Sequence, residues 1–124
     1  MASPQSIDNG TGKGLLLKAD PIAEAFRQEV KAGLAECPTP PKLVGILSTS
    51  SAPSKAYATF TKKQCEDLGC EFLLKLTGAA LSSDLGEGEG VEEAIIEANE
   101  DDSVDGIMVS SSSVEMRYPV IYAL

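Results

Sequence analysis

The chain is predicted to fold as a small three-layer α/β domain, a parallel sheet built in the order α-β-α-β-α-β. Three observations predict it. Lys42-Leu43-Val44-Gly45-Ile46-Leu47-Ser48 is an apolar run without polar alternation, the pattern of a strand buried on both faces. On either side of it, apolar residues recur at helical spacing. With 124 residues, 43% of them apolar, there is chain enough for one domain with a real core and too little for two. Strands alternating with helices imply right-handed crossovers.

Residues 1–14, rich in Ser, Gly, Asn and Thr, are expected to form a disordered leader. Order is expected near Asp20, read as an N-cap with Pro21 at the first helical position. Ile22, Phe26, Val30 and Leu34 then form a stripe at four-residue spacing. The helix must end before Cys37-Pro38-Thr39-Pro40-Pro41, because proline cannot continue it. After the first strand, Thr49–Pro53 is a polar loop and Ser54 is the expected cap of a second helix. On that helix Tyr57, Phe60, Thr61, Gln64, Cys65 and Leu68 are assigned to one face, and Gly69 to its end.

Glu71–Leu76 reads as a second strand and Thr77–Gly90 as a loop. Val91, Ala94, Ile95 and Ala98 mark a third helix, and Val104–Val109 a third strand. The tail from Ser110 to Leu124 carries no helical or strand periodicity. Three helices for three buried strands predict incomplete cover of Leu43, Val44, Ile46, Phe72, Leu74, Ile107 and Val109, with unpartnered edges.

Composition excludes several kinds of chemistry. There is no histidine, so no Ser-His-Asp or Cys-His triad and no His-ligated metal site can be assembled. Three cysteines, Cys37, Cys65 and Cys70, are too few for a Cys₄ zinc site, and they are expected as reduced, partly buried thiols of an intracellular protein. Ten Lys and Arg against 19 Asp and Glu give a net charge of −9, which argues against nucleic acid as a partner. No apolar stretch is long enough for a membrane span, and the N-terminus lacks the basic start and apolar core of a secretory signal.

Two features carry less than they suggest. Gly86-Glu87-Gly88-Glu89-Gly90 has the wrong spacing for a dinucleotide fingerprint, and its glutamates would repel a pyrophosphate. A flexible acidic surface loop is the expectation. Glu92, Glu93, Glu97, Glu100, Asp101 and Asp102 lack the spacing of a calcium loop and read as a solvated helix face and an acidic turn, so no metal is assigned.

The segment from Ser54 to Lys63 carries more. Ser54 and Tyr57 begin a Ser-x-x-Tyr pattern after a strand and a short loop, and Glu66-Asp67-Leu68-Gly69 ends it. Val44–Leu47 precedes it, and Glu92–Asn99 with Asp102–Val109 follow. Together these segments, over about Leu15 to Val109, resemble the methylenetetrahydrofolate dehydrogenase/cyclohydrolase family. The resemblance implies an amino-acid-dehydrogenase-like N-terminal domain and a folate site in which Ser54, Tyr57 and Thr61 contact the substrate, with Tyr57 stacking on the folate ring.

Two departures qualify it. The family's catalytic lysine, four residues past the tyrosine, is Thr61 here, which cannot supply an ammonium group for the cyclohydrolase step. Lys62 points about 100° away round the helix. This pattern is similar to the monofunctional NAD-dependent branch found in fungi. In that branch, hydride leaves the methylene bridge as a cation spread over two nitrogens forms, so orientation suffices without an obligatory base. The second departure is that the sequence after Val109 does not continue as a folate-lining loop, and no Rossmann-type domain follows. A truncated or alternatively spliced product with an unrelated tail at 110–124 is the expectation.

By resemblance, then, the chain is a folate-site portion of an NAD-dependent methylenetetrahydrofolate dehydrogenase, a cytoplasmic enzyme of one-carbon metabolism and purine biosynthesis. Its NAD would be bound by a domain absent from this chain, and it is expected to be inactive alone. Its partners would be a tetrahydrofolate derivative and a second subunit, as a homodimer or paired with a full-length relative. The alternatives are a non-enzymatic product that binds folate weakly or pairs with the complete enzyme, and an unrelated α/β interaction module.

Overall fold

The computed structural model describes residues 14–111, and the backbone of 121–123. Helix α1 (Asp20–Ala35) leads into strand β1 (Lys42–Leu47), followed by α2 (Ala52–Leu68), β2 (Glu71–Leu76), a single turn α3 (Gly78–Leu81), α4 (Val91–Glu100), β3 (Gly106–Ser110) and β4 (Ile121–Ala123). The sheet order is β2-β1-β3-β4; β1 runs parallel to β2 and β3, and β4 runs antiparallel to β3. The predicted three-strand parallel α/β sheet is thus present, with two additions.

One addition is α3, inside the segment read as loop; a four-residue helix is too short to show a period. The other is β4, in a tail without visible periodicity. It pairs Ile107 with Tyr122 across the outer edge of β3, where an open row of backbone donors and acceptors can take another strand. The tail's residues 112–120 and the leader's residues 1–13 lie outside the described residues.

Strand alternation explains how the sheet is covered. Leu43, Gly45 and Leu47 stand level with Phe72, Leu74 and Leu76 on one face, which α2 lies against. Gly45 leaves the space there that the Phe72 ring fills. On the opposite face Val44, Ile46, Ile107 and Val109 pack with Ala94, Ala98 and Val104, flanked by Val91 and Ile95. Because α2 and α4 take opposite faces, the expected poor cover of the strands is corrected: Val44, Ile46, Phe72, Ile107 and Val109 are buried, and only Leu43 and Leu74 are partly so. The outer edge of β2 pairs with no described strand.

The helix ends differ in detail from expectation. Ala19, not Asp20, caps α1, and Ser51, not Ser54, caps α2; neither makes a side-chain cap bond. Pro21 and Pro53 impose their fixed φ one or two residues inside each helix and thereby set where it starts. Gly69 ends α2 at φ 96°, in the left-handed conformation that lets Cys70 N–H reach the Cys65 carbonyl at 2.8 Å. Between α4 and β3, Asp101 accepts from the backbone and hydroxyl of Ser103, which holds its carboxyl below the usual range. The strand starts are then tied together, Asp105 N–H to Lys42 O at 2.8 Å and Lys42 N–H to the Asp105 carboxylate at 2.9 Å.

Candidate functional site

In an open parallel sheet, a ligand site forms beyond the carboxyl ends of the strands, where the chain leaves one strand to the left and the next to the right. Here that point lies between β1 and β3, since β2 follows β1 on one side and β3 lies on the other. Ser48 N–H donates to Ser110 O at 3.0 Å and closes the crevice floor. Ser48 and Thr49 are buried although polar, and each has a partner: Ser48 Oγ donates to Glu89 O at 2.9 Å, and Thr49 Oγ1 accepts from Ser51 N–H at 3.1 Å.

Three chain segments meet at this lip. Thr77 N–H donates to Leu47 O, Ala79 N–H to Gly86 O and Gly88 N–H to Ser48 O, each near 3 Å. Gly78, at φ 51°, lies where a Cβ would run into Ser48 Oγ, Gly86 O and Glu89 O, so only glycine admits the convergence. The Gly86–Gly90 loop lies at the surface, as expected from its composition, and these bonds fasten it to the end of β1. Thr77 Oγ1 is a buried hydroxyl without a partner among the described residues.

Helix α2 rises from this lip and carries the three residues singled out in the sequence. Ser54, Ala58, Thr61, Cys65 and Leu68 form its inward stripe, with Ala58 fully buried. This corrects the face assigned earlier: Phe60 points to solvent, and Tyr57 stands on the shoulder of the stripe, about 60° round from Ser54 and 52% exposed. The Tyr57 ring is thus available to a planar ligand. Thr61 Oγ1 donates to Tyr57 O at 2.9 Å, so its hydroxyl proton is already engaged with the helix backbone.

Nucleophilic chemistry is poorly served. The cysteines are free, and Cys37 is exposed rather than partly buried as expected. Burial pushes the Cys65 thiol up, with Cys70 and Glu66 adding repulsion; burial also raises Cys70, with Cys37 adding to it. Neither supplies much thiolate at neutral pH. Among the described residues no cluster of Cys, Asp and Glu is arranged to hold a metal ion, and no helix is long and apolar enough to cross a membrane.

A dinucleotide does not fit the described residues. In the Gly86–Gly90 loop three of the five amide donors are already taken: Gly86 N–H by the Glu89 carboxylate at 2.7 Å, Gly88 N–H by Ser48 O, and Glu89 N–H by Gly86 O. Two carboxylates add repulsion. The places of Ser48, Gly78 and Glu89 at this lip were not foreseen from the sequence; the one local signal was a Ser/Thr run placed directly after a buried strand.

Comparison with known proteins agrees with this geometry. Residues 17–112 match the catalytic domain of tetrahydrofolate dehydrogenase/cyclohydrolase. The methylenetetrahydrofolate dehydrogenase [NAD(+)] of Schizosaccharomyces pombe is 35% identical over 91 residues, covering 73% of this chain and 26% of its own length. That of Saccharomyces cerevisiae is 36% identical over 101 residues, covering 77% and 29%. The solved structure of the S. cerevisiae NAD-dependent 5,10-methylenetetrahydrofolate dehydrogenase superposes with a TM-score of 0.66 at 34% identity, over 78% of this chain and 30% of that one. A bifunctional methylenetetrahydrofolate dehydrogenase/cyclohydrolase from Campylobacter jejuni gives 0.57 at 26% identity, over 73% and 31%. The chain thus spans under a third of the length of these relatives. Within that span, it belongs to the tetrahydrofolate dehydrogenase/cyclohydrolase family as part of the catalytic domain.

Proposed function

We propose that this chain supplies the folate-seating part of an NAD-dependent methylenetetrahydrofolate dehydrogenase. The observation that carries the reading is the match over residues 17–112, together with relatives at 35–36% identity that are NAD(+)-dependent methylenetetrahydrofolate dehydrogenases. Tyr57 stacks on the folate ring system and fixes its tilt, with Ser54 and Thr61 beside it on α2. Thr61 has no ammonium group to assist hydration, and its hydroxyl is committed to Tyr57 O. The reading is therefore dehydrogenase without cyclohydrolase activity.

The described residues hold no cradle for NAD, so the task of this chain is to bind and orient the one-carbon carrier. Oxidation of 5,10-methylenetetrahydrofolate to the methenyl form belongs to the assembled enzyme, in cytosolic one-carbon metabolism. The uncovered apolar stripe of α1 favours association with another subunit, either a copy of this chain or a full-length relative.

Calorimetric titration with tetrahydrofolate tests the reading, run beside an assay of NADH formation from methylenetetrahydrofolate at saturating NAD. Saturable one-to-one binding without turnover is expected. Absence of binding overturns the folate assignment, and turnover above a heat-killed control overturns the division of labour.

A further inference from the structure

We propose that Glu87 is a positioning residue for the folate site, a carboxylate that pins the β1–α2 loop from which the substrate helix rises. The proposal rests on the folate reading. Glu87 accepts from Ser50 N–H at 3.1 Å through one oxygen and 3.3 Å through the other, and from the Ser50 hydroxyl as well. A carboxylate that takes both the amide and the hydroxyl of one residue fixes that residue's orientation as well as its place. Ser50 stands two residues before the first residue of α2 and on the lip at the carboxyl end of β1.

Glu87 can act as a clasp because its own loop is held. Gly88 N–H on Ser48 O and Ser48 Oγ on Glu89 O, each at 2.9 Å, tie the two residues that follow Glu87 to the end of β1. Gly88 at φ 80° and Gly90 at φ 79° give the loop the left-handed turns that let it bend back over the lip. The clasp spans 37 residues of sequence yet lies at the surface, outside the packed core. It can therefore be removed without unfolding the sheet, and what its loss frees is the approach to Ser54 and Tyr57.

The test compares the 124-residue chain with Glu87→Gln, Glu87→Asp and Ser50→Ala, with Glu97→Gln as control because it breaks only the exposed pair with Lys75. Three quantities are read: melting temperature, amide hydrogen exchange at Ser50, and affinity for tetrahydrofolate. For Glu87→Gln the melting temperature should stay within about 2 °C. Ser50 exchange should accelerate and affinity fall on the order of five- to tenfold, the net scale of one hydrogen bond. Glu87→Asp, too short to reach, should behave likewise. Ser50→Ala should lose less, since its amide stays bound, and Glu97→Gln should change nothing.

Unchanged Ser50 exchange in Glu87→Gln overturns the clasp. Accelerated exchange with unchanged tetrahydrofolate affinity overturns the positioning role. Failure of the unsubstituted chain to bind tetrahydrofolate overturns the folate reading and the positioning role with it, whereas loss of the clasp alone leaves the folate reading standing.

Discussion

Helices α1 and α4 show the same kind of sequence and meet opposite fates. Each carries an apolar stripe at helical spacing, Ile22-Phe26-Val30-Leu34 in one and Val91-Ala94-Ile95-Ala98 in the other. In α4 the stripe closes over Val44, Ile46 and Ile107, and Ala94 and Ala98 are buried. In α1 nothing is buried, and Phe26 is 63% exposed although the helix leans on α2. Amphipathic spacing states that a face has something to gain by burial; the partner that buries it must come from elsewhere. For α4 that partner is the sheet of this chain. For α1, the described residues contain none that covers it.

This difference fixes the largest expected effect. Ile107, at 0% exposure, sits where β3 meets α4, so Ile107→Ala should cost about 2–5 kcal/mol in denaturant unfolding of the isolated chain. At concentrations where the chain is monomeric, Phe26→Ala on α1 should change stability by no more than about 0.5 kcal/mol, since the ring loses little contact there. Comparable losses for the two would mean that the α1 stripe is covered in solution.

Gly45→Ala probes the face opposite α4. A Cβ there meets three atoms of the Phe72 ring, so the ring must leave its place between β1 and α2. The expected cost is roughly 1–3 kcal/mol, the scale of core overpacking. A neutral substitution would show that the α2 face is packed as loosely as α1.

A smaller effect, of opposite sign, is expected at the lip. Thr77→Val replaces a buried hydroxyl that has no partner among the described residues with a methyl group of similar size. It should leave stability unchanged or raise it by up to about 1 kcal/mol. A clear loss would reveal a hydrogen bond to the Thr77 hydroxyl.

These contrasts also show which parts were legible in the sequence. Strands β1 and β2 were, because a run such as Leu43–Leu47 has no polar side to show. So was the site helix, but through family resemblance: composition says only that Tyr57 lies on an amphipathic helix. The face of α2 was misplaced, because Ala58 contributes little to an apolar pattern, whereas the larger Tyr57 and Phe60 draw the eye to the wrong side. Of the lip, only the Ser/Thr run after β1 left a trace. Ser48 and Glu89 meet across 41 residues, and Ser50 and Glu87 across 37. Such pairings follow from the crossing of β1 with the loop before α4, and local composition, which suggested a flexible acidic loop, holds no trace of it. Strand β4 escaped for another reason: three residues are too few to show alternation, and its register comes from the open edge of β3.

The central claim is that α2 presents Tyr57 as the stacking platform for a folate ring. Calorimetric titration of tetrahydrofolate into the chain and into Tyr57→Ala and Tyr57→Phe tests it most directly. Tyr57→Ala should weaken binding by roughly 1–3 kcal/mol, the scale of lost aromatic burial and stacking, and Tyr57→Phe should cost much less because the ring remains. Equal affinity of the unsubstituted chain and Tyr57→Ala would contradict the account and leave Tyr57 a surface aromatic of the helix.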